Sequence, residues 1–250
     1  MKTCIWCKTE STKIAVEHII PDALGCPPYL VLKNGEVCEG CNNRLSHLDR
    51  AVADEFDFVA FERNIPRKGG RPPAIRSRGN VVATKGTAGS EMSFNMERYA
   101  VRAHDGSVLG ARGKSRRNVN ATFERDGPFA KISFEIEFGQ DPKFLRGLSK
   151  IALSAFTYYM GAERALSAEF DNVRAYVLRG EGVRNVVMKT SNSSENRLLA
   201  PIEFDGGAYV VPFSVLRTDF FVDLSPKMTA LPIVAEWMRE QHDEIGWTTL

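Results

Sequence analysis

The sequence predicts an α+β protein in which a small metal-clamped unit precedes an antiparallel sheet and a long helix. Three observations lead to this prediction. Two Cys-x-x-Cys pairs bracket a short N-terminal stretch, residues 91–138 alternate between apolar and polar side chains, and the residues after 141 repeat apolar side chains at helical spacing. We expect three parts: residues 1–62, a basic linker over 63–90, and an α+β domain over 91–250.

The composition is that of an ordinary folded protein, with 43% hydrophobic residues, 26% charged residues and a formal net charge of +2. No run of about 18 apolar residues occurs, which argues against a membrane-spanning helix. The N-terminus, Met1–Cys4, lacks the apolar core of a signal peptide. We therefore expect a cytoplasmic protein with no membrane partner, in a reducing compartment where cysteines bind metal more often than they form disulfides.

The N-terminal cysteines form two pairs of identical spacing, Cys4-Ile5-Trp6-Cys7 and Cys38-Glu39-Gly40-Cys41. Four thiolates are enough for a closed tetrahedral Zn²⁺ site, and the spacing lets both sulfurs of a pair reach one ion. A closed site has no open position, so this zinc is predicted to be structural. The alternative, a set of ordinary buried cysteines, has to explain two identical spacings in one short unit. Cys26 has no such partner and is interpreted as a small core residue.

The first unit is predicted to contain a strand over Lys13–Val16 and a helix that begins at Asn42. The helix should end near Asn64, because Pro66 blocks its continuation. Its apolar face comprises Leu45, Leu48, Val52, Phe56, Val59 and Ala60, at spacings of three and four. Asp49 and Glu55 are interpreted as charges on the surface of this helix.

The rest of the chain is predicted to begin with antiparallel strands. Residues 131–138 alternate strictly, and Asp126-Gly127 is a turn signal before them. A helix should run from Asp141-Pro142 to Gly161, because proline suits a first helical turn and glycine a C-terminal cap. The remaining predicted elements are short strands near residues 175–178, 183–188 and 209–211, and a last helix over residues 233–242.

The residues with catalytic potential lie between the cysteine pairs and directly after them. Glu17 and His18 follow the predicted strand, and Asn42 follows Cys41. A neutral histidine is a suitable base near pH 7, and carboxylate and amide oxygens suit Mg²⁺ or a similar hard ion. Neighbours in a strand point to opposite faces, so Glu17 and His18 can converge only where the strand ends or bulges. Taken alone, His18 is more simply a core histidine beside Ile19 and Ile20.

These features together resemble the HNH nuclease family and its ββα-metal motif. The residues that carry the resemblance are Cys4-x-x-Cys7, Glu17-His18-Ile19-Ile20-Pro21 followed by Ala23-Leu24-Gly25, and Cys38-x-x-Cys41-Asn42. The closest likeness is to the branch that ends in Asn, of the endonuclease VII type. The resemblance covers residues 1 to about 60, and its motifs are specific jointly rather than singly.

The resemblance implies an endonuclease that hydrolyses DNA, in restriction or phage defence in bacteria. It implies that Glu17 and Asn42 hold one catalytic ion, Mg²⁺ or Mn²⁺, and that His18 is the general base. The sequence departs from the family pattern at two positions. The first metal ligand of the family is often Asp, where this sequence has Glu17. The middle Asn of the family has no clear counterpart, since Asn34-Gly35 is more simply a turn. Cleavage of both strands by one-metal sites usually needs two of them, which leaves a homodimer open.

Basic residues are concentrated in two loops without acidic neighbours, around residues 63–80 and 111–117. Such loops can contact phosphates without reading sequence, although a solvated charged loop is an equally good interpretation. The candidate contacts to DNA are Arg67, Lys68, Arg71, Arg76, Arg116 and Arg117.

Two other classes of protein remain open from the sequence. A non-catalytic zinc-dependent nucleic-acid-binding protein would keep the cysteines and the basic loops, while Glu17 and His18 merely packed. A structural zinc module with a protein-interaction domain would be favoured by an absence of net basic charge in the folded C-terminal half. The joint presence of Glu17, His18 and Asn42 favours the nuclease.

Overall fold

The computed structural model of the protein describes residues 2–66, 70–76, 81–85, 92–96, 119–126, 129–136, 138–139, 141–191, 193, 195–241 and 247–249. Within these ranges the protein combines helices with antiparallel sheets, so the α+β class is confirmed. No helix in the described part of the chain is long and apolar enough to cross a membrane.

The described chain forms two compact units. The first combines residues 1–54 with residues 141–250, and the second comprises residues 55–140. The N-terminal stretch with the cysteine pairs therefore shares a unit with the C-terminal part of the chain. The division into domains at residues 62 and 90 stays a prediction.

The N-terminal part of the first unit consists of short strands, a 3₁₀ helix and one long helix. These are β1 (Lys2–Thr3) paired with β2 (Glu10–Ser11), β3 (Glu17–His18) paired with β4 (Val31–Leu32), the 3₁₀ helix Asp22–Leu24, and α1 (Glu39–Glu55). The predicted strand over Lys13–Val16 is wrong: Ile14 makes only an isolated bridge to Cys38, and Ile14 and Val16 are both more than half exposed. The next paired strand after β2 begins instead at Glu17, the first residue of β3.

The predicted helix from Asn42 to Asn64 is divided in two. After α1, a second helix α2 (Asp57–Glu62) follows, and Phe56 between them has φ −92° and ψ 9°. Asn64 has a positive φ of 57°, which agrees with a helical end before Pro66. Leu45, Leu48, Val52, Phe56 and Ala60 are fully buried, as the predicted apolar face requires.

The second unit is built on antiparallel ladders. Its strands are β5 (Ile75–Arg76), β6 (Val81–Lys85) and β7 (Met92–Met96) in one sheet, and β8 (Val119–Asp126) and β9 (Phe129–Ile136) in a hairpin. Part of the stretch that was expected to be a loop thus pairs as β5 and β6, and Ile75 is 3% exposed. Asp126 pairs with Phe129 at the end of this hairpin, and Gly127 of the predicted turn lies outside the described residues.

The remainder of the first unit consists of helices packed on an antiparallel sheet. The helices are α3 (Pro142–Met160), α4 (Ala162–Ala165), the 3₁₀ helix Ala168–Phe170, α5 (Asp171–Arg179) and α6 (Leu231–Gln241). The strands are β10 (Val187–Thr190), β11 (Arg197–Leu198), β12 (Ile202–Phe204), β13 (Ala208–Val215), β14 (Thr218–Asp223) and β15 (Trp247–Thr249). The sheet order is β11-β13-β14-β10-β15, with β12 also paired to β13.

The helix α3 follows the sequence prediction closely. The Asp141 side chain caps its N-terminus by accepting a hydrogen bond from Lys143 N at 2.9 Å, and Gly161 ends it with φ 85°. All residues from Gly147 to Thr157 are buried. Since a helix that is buried all round must lie inside the protein, α3 is the central element of this unit.

The predicted strand near residues 175–178 is wrong, because these residues belong to α5. Val173, Tyr176 and Val177 are spaced by three and four residues and are buried on one face. Gly180 adopts a left-handed conformation with φ 76° and donates its N–H to the carbonyl of Tyr176, which ends the helix as a glycine C-cap does.

Gly147 permits close contact between α3 and α1. A Cβ atom at this position would lie 2.3 Å from Cγ2 of Val52 and 3.0 Å from the carbonyl oxygen of Leu48. We expect Gly147→Ala to lower the free energy of unfolding by about 1–3 kcal/mol through overpacking, measured by urea denaturation.

Gly40 provides the matched control for this substitution, since it is also helical and a Cβ there meets nothing within 4 Å. Gly40→Ala is expected to raise stability by about 0.5–1 kcal/mol through helix propensity. Equal stability changes for the two variants would show that the α1–α3 contact is not tight.

Candidate active site and metal centre

The four paired cysteines converge as their spacing predicts. The sulfur atoms of Cys4, Cys7, Cys38 and Cys41 all lie within 4.8 Å of one another, and those of Cys7 and Cys38 are 3.9 Å apart. Sulfurs bound tetrahedrally to zinc at about 2.3 Å lie about 3.8 Å apart. The cluster could therefore hold a metal ion such as zinc with little movement.

Two of the four sulfur atoms accept hydrogen bonds from backbone N–H groups. Cys38 N lies 3.4 Å from the Cys4 sulfur, and Cys41 N lies 3.4 Å from the Cys38 sulfur, both as hydrogen-bond donors. A hydrogen bond with Cys41 lowers the pKa of Cys4 to about 4, while the same contact raises the pKa of Cys41. Without a metal, Cys4 and Cys41 share one proton, so only one of the two is favoured as a thiolate. A divalent cation would stabilise both, because it stabilises every thiolate that it binds.

Glu17 lies in the protein interior. It is 1% exposed and occupies β3 opposite Leu32 of β4. Burial raises the pKa of Glu17, an effect that the ammonium of Lys150 opposes. His18, the next residue, pairs with Val31 and is half-buried. The two side chains therefore differ in exposure, as neighbours in a strand do.

The carboxylate of Glu17 contacts a lysine from a distant part of the chain. The Nζ atom of Lys150, on α3, lies 2.5 Å from Glu17 Oε1 and 2.6 and 2.8 Å from the two carboxylate oxygens of Asp49. Burial lowers the pKa of Lys150, but the charges of Glu17 and Asp49 outweigh this and raise it overall. Two carboxylates and one ammonium leave one formal negative charge in this cluster.

The interpretation of Asp49 and Glu55 as surface charges on the helix is wrong. Asp49 anchors Lys150, and its side chain is 28% exposed. Glu55 is 7% exposed, and its Oε2 accepts a hydrogen bond from the N–H of Gly139 at 3.3 Å. Both carboxylates are held by partners far away in sequence, which no local pattern could show.

Asn42 lies in the first turn of α1, directly after the cysteine cluster, and is half-buried. Its backbone N–H donates to the carbonyl of Cys38 at 3.0 Å. Among the described residues, no hydrogen bond or ion pair joins the side chains of Asn42, His18 and Glu17 to one another. Their shared role in catalysis stays a prediction.

Other polar residues near the cysteine pairs have local partners. Asn34 donates from its backbone N–H and its Nδ2 to the carboxylate of Glu36, and Gly35 has φ 91°, which agrees with a turn. His47 is exposed on α1, with Nδ1 at 2.9 Å from the carbonyl of Arg44. None of these hydrogen bonds connects Asn34 or His47 to Glu17.

The C-terminal part of the unit supports the backbone around the motif. Arg174, on α5, donates from Nε to the carbonyl of Ile5 at 2.7 Å, next to Cys4. Asn196 donates to the carbonyls of Leu24 at 2.7 Å and Gly25 at 3.2 Å. The loop after His18 and the first cysteine pair are therefore fixed by residues that follow them by more than a hundred positions.

The candidate DNA-contacting residues are only partly described. Arg71 is exposed, and the backbone of Arg76 lies in β5. Arg67, Lys68, Arg116 and Arg117 lie outside the described residues. Contact of these residues with DNA stays a prediction.

Comparison with known proteins decides the family of this region. Residues 4–57 match the family model described as HNH endonuclease. These residues form an HNH endonuclease domain. The resemblance to the HNH family is thus confirmed, while the assignment to the endonuclease VII type stays a prediction. The match contains every cysteine of the cluster as well as Glu17, His18, Asn42 and Asp49. No curated protein and no solved structure matches the chain.

The family match leaves out a residue that contacts two carboxylates inside the matched region. Lys150 lies far beyond residue 57, yet it contacts Glu17 and Asp49. One sequence signal points to this contact: Lys150 stands in the apolar run Leu148–Phe156, where a buried ammonium requires a carboxylate partner. The identity of that partner cannot be read from the sequence.

Proposed function

We propose that the protein is an HNH endonuclease that hydrolyses phosphodiester bonds in DNA. The observation that supports this most strongly is the family match over residues 4–57, which contains the Glu17-His18 pair and Asn42. In this proposal Glu17 and Asn42 hold one divalent ion, Mg²⁺ or Mn²⁺, and His18 is the general base. The four cysteines hold a structural zinc.

The donor chemistry around Glu17 suits a hard cation. Carboxylate and amide oxygens are the ligands that Mg²⁺ and Mn²⁺ prefer. A carboxylate has about four lone-pair sites, so the ion pair with Lys150 leaves Glu17 able to bind a metal. The formal negative charge that Lys150 does not neutralise favours a cation at this place. When bound, the ion would stabilise negative charge on the phosphate and leaving oxygen.

His18 is the suitable residue to move a proton. A neutral imidazole accepts a proton from water near pH 7, and the resulting cation sits beside a carboxylate in sequence. His18 is half-buried, so it is not closed off from solvent as Glu17 is. Six basic side chains would contact phosphates on either side of the cleaved bond: Arg67, Lys68, Arg71, Arg76, Arg116 and Arg117. A setting in restriction or phage defence, and dimerisation for cleavage of both strands, belong to this proposal.

Plasmid cleavage tests the proposal. Purified protein with its zinc intact should nick or linearise supercoiled DNA when Mn²⁺ or Mg²⁺ is added, and omission of the added ion should stop the reaction. One observation favours a second function: Glu17 is buried in an ion pair, as a non-catalytic zinc-dependent nucleic-acid-binding protein would allow. DNA binding without cleavage in any divalent metal would support that alternative.

A further inference from the structure

Lys150 is a buried cation with two carboxylate partners. It is 1% exposed, and its Nζ contacts Glu17 at 2.5 Å and Asp49 at 2.6 Å. Lysine is almost never fully buried unless its charge is paired. The three residues come from three different elements, β3, α1 and α3, so their contact is created only by the fold.

The close approach of α3 to α1 brings this ammonium to its position. Gly147 lies three residues before Lys150 and faces Val52 and the carbonyl of Leu48, while Asp49 follows Leu48 on α1. Positions three apart on a helix share a face. The small residue Gly147 therefore lets α3 lie close enough for the lysine to reach both carboxylates.

We propose that Lys150 is a positioning residue of the HNH site, which fixes the carboxylate of Glu17 and is itself anchored by Asp49. This inference rests on the function proposed above. A catalytic constellation has to be held within about 0.5 Å of its productive geometry by surrounding hydrogen bonds. Glu17 is the proposed metal ligand and adjoins the proposed base His18, so its orientation determines where the ion binds.

A purely structural role makes a different prediction. Buried ion pairs contribute little net stability compared with well-packed apolar side chains, so stability alone gives no reason for this cluster. A structural cluster would change the melting temperature and leave the metal requirement of cleavage unchanged. A lysine that merely competed with the ion would, when removed, lower the metal concentration needed.

The test measures the Mn²⁺ concentration that gives half-maximal plasmid cleavage. Lys150→Met removes the ammonium, but it leaves buried carboxylates unpaired and can fail to fold. Asp49→Asn is therefore the second variant, because it keeps the Glu17–Lys150 pair and removes only the anchor. Folding is checked for each variant by circular dichroism and zinc content. Ser154→Ala on α3 and Asp54→Asn on α1 are the matched controls.

We expect folded Lys150→Met or Asp49→Asn to need about 10–100-fold more Mn²⁺ than wild type, the usual effect of losing a partner behind a metal ligand. Direct Mn²⁺ binding, measured by electron paramagnetic resonance, should weaken in parallel. Asp49→Glu, which keeps the charge, should recover most of the wild-type value, and both controls should match wild type.

An unchanged or lower Mn²⁺ requirement in a folded variant would overturn the positioning role while wild-type cleavage still supported the nuclease. Absence of cleavage by the wild type in every divalent metal would instead overturn the proposed function, and with it the role of Lys150. The two failures are therefore distinguishable.

Discussion

Replacing Cys38 by serine is expected to release zinc and unfold the region around the HNH motif. The four sulfurs lie within 4.8 Å of one another, and the strands β1 to β4 beside them are only two residues long each. Apparent binding energies of structural zinc are about 10–16 kcal/mol in small zinc modules, and this energy is folding energy. Zinc content by mass spectrometry and thermal unfolding by circular dichroism measure the loss.

Cys26 provides the matched control for this experiment. It lies outside the cluster, and its sulfur is 3.5 Å from the carbonyls of Pro27 and Leu30. Cys26→Ser should keep one zinc per chain and a melting temperature near that of wild type. A Cys38→Ser protein that kept both its zinc and its stability would show that the four cysteines are not a metal site.

Replacing His18 by alanine is expected to abolish most DNA cleavage without unfolding the protein. A general base contributes typically about 10²–10⁴-fold to a rate, so the single-turnover rate of plasmid cleavage should fall by that factor. His18 is half-buried, and among the described residues its ring makes no hydrogen bond, so stability should change little. DNA affinity, measured by fluorescence anisotropy, should be retained.

His47→Ala is the control for the loss of an imidazole. His47 is exposed on α1 and bonds only to the carbonyl of Arg44 one turn away. Its removal should leave the cleavage rate within a factor of about two, as expected for a surface substitution away from the site. A His18→Ala protein that cleaved as fast as His47→Ala would exclude His18 as the base.

The parts that the sequence predicts well are those set by local chemistry. Cys-x-x-Cys spacing brings two sulfurs of one turn to one ion, so the cluster of Cys4, Cys7, Cys38 and Cys41 could be predicted before any fold. The ends of α3 could be predicted for the same reason, because Asp141 and Gly161 form caps with residues next to them.

The parts that the sequence predicts poorly depend on contacts between distant residues. Ala175–Leu178 is a short apolar run that suits either a strand or a buried helix, and the cap at Gly180 decides for the helix. Asp49 has the spacing of a surface charge on α1, and only the packing of α3 through Gly147 gives it a buried partner. The environment of Glu17 could not be predicted, because it is set by a lysine 133 positions later.

We expect a catalytic ion to bind near Glu17 and Asn42, apart from the metal held by the cysteines. Anomalous diffraction from crystals soaked in Mn²⁺, recorded at the zinc and manganese edges, tests this directly. Zinc is expected at the four sulfurs, and manganese is expected to be bound by the carboxylate of Glu17 and the amide oxygen of Asn42, with the ring of His18 beside it. Manganese found only at the cysteines, or at no place near Glu17, would contradict it.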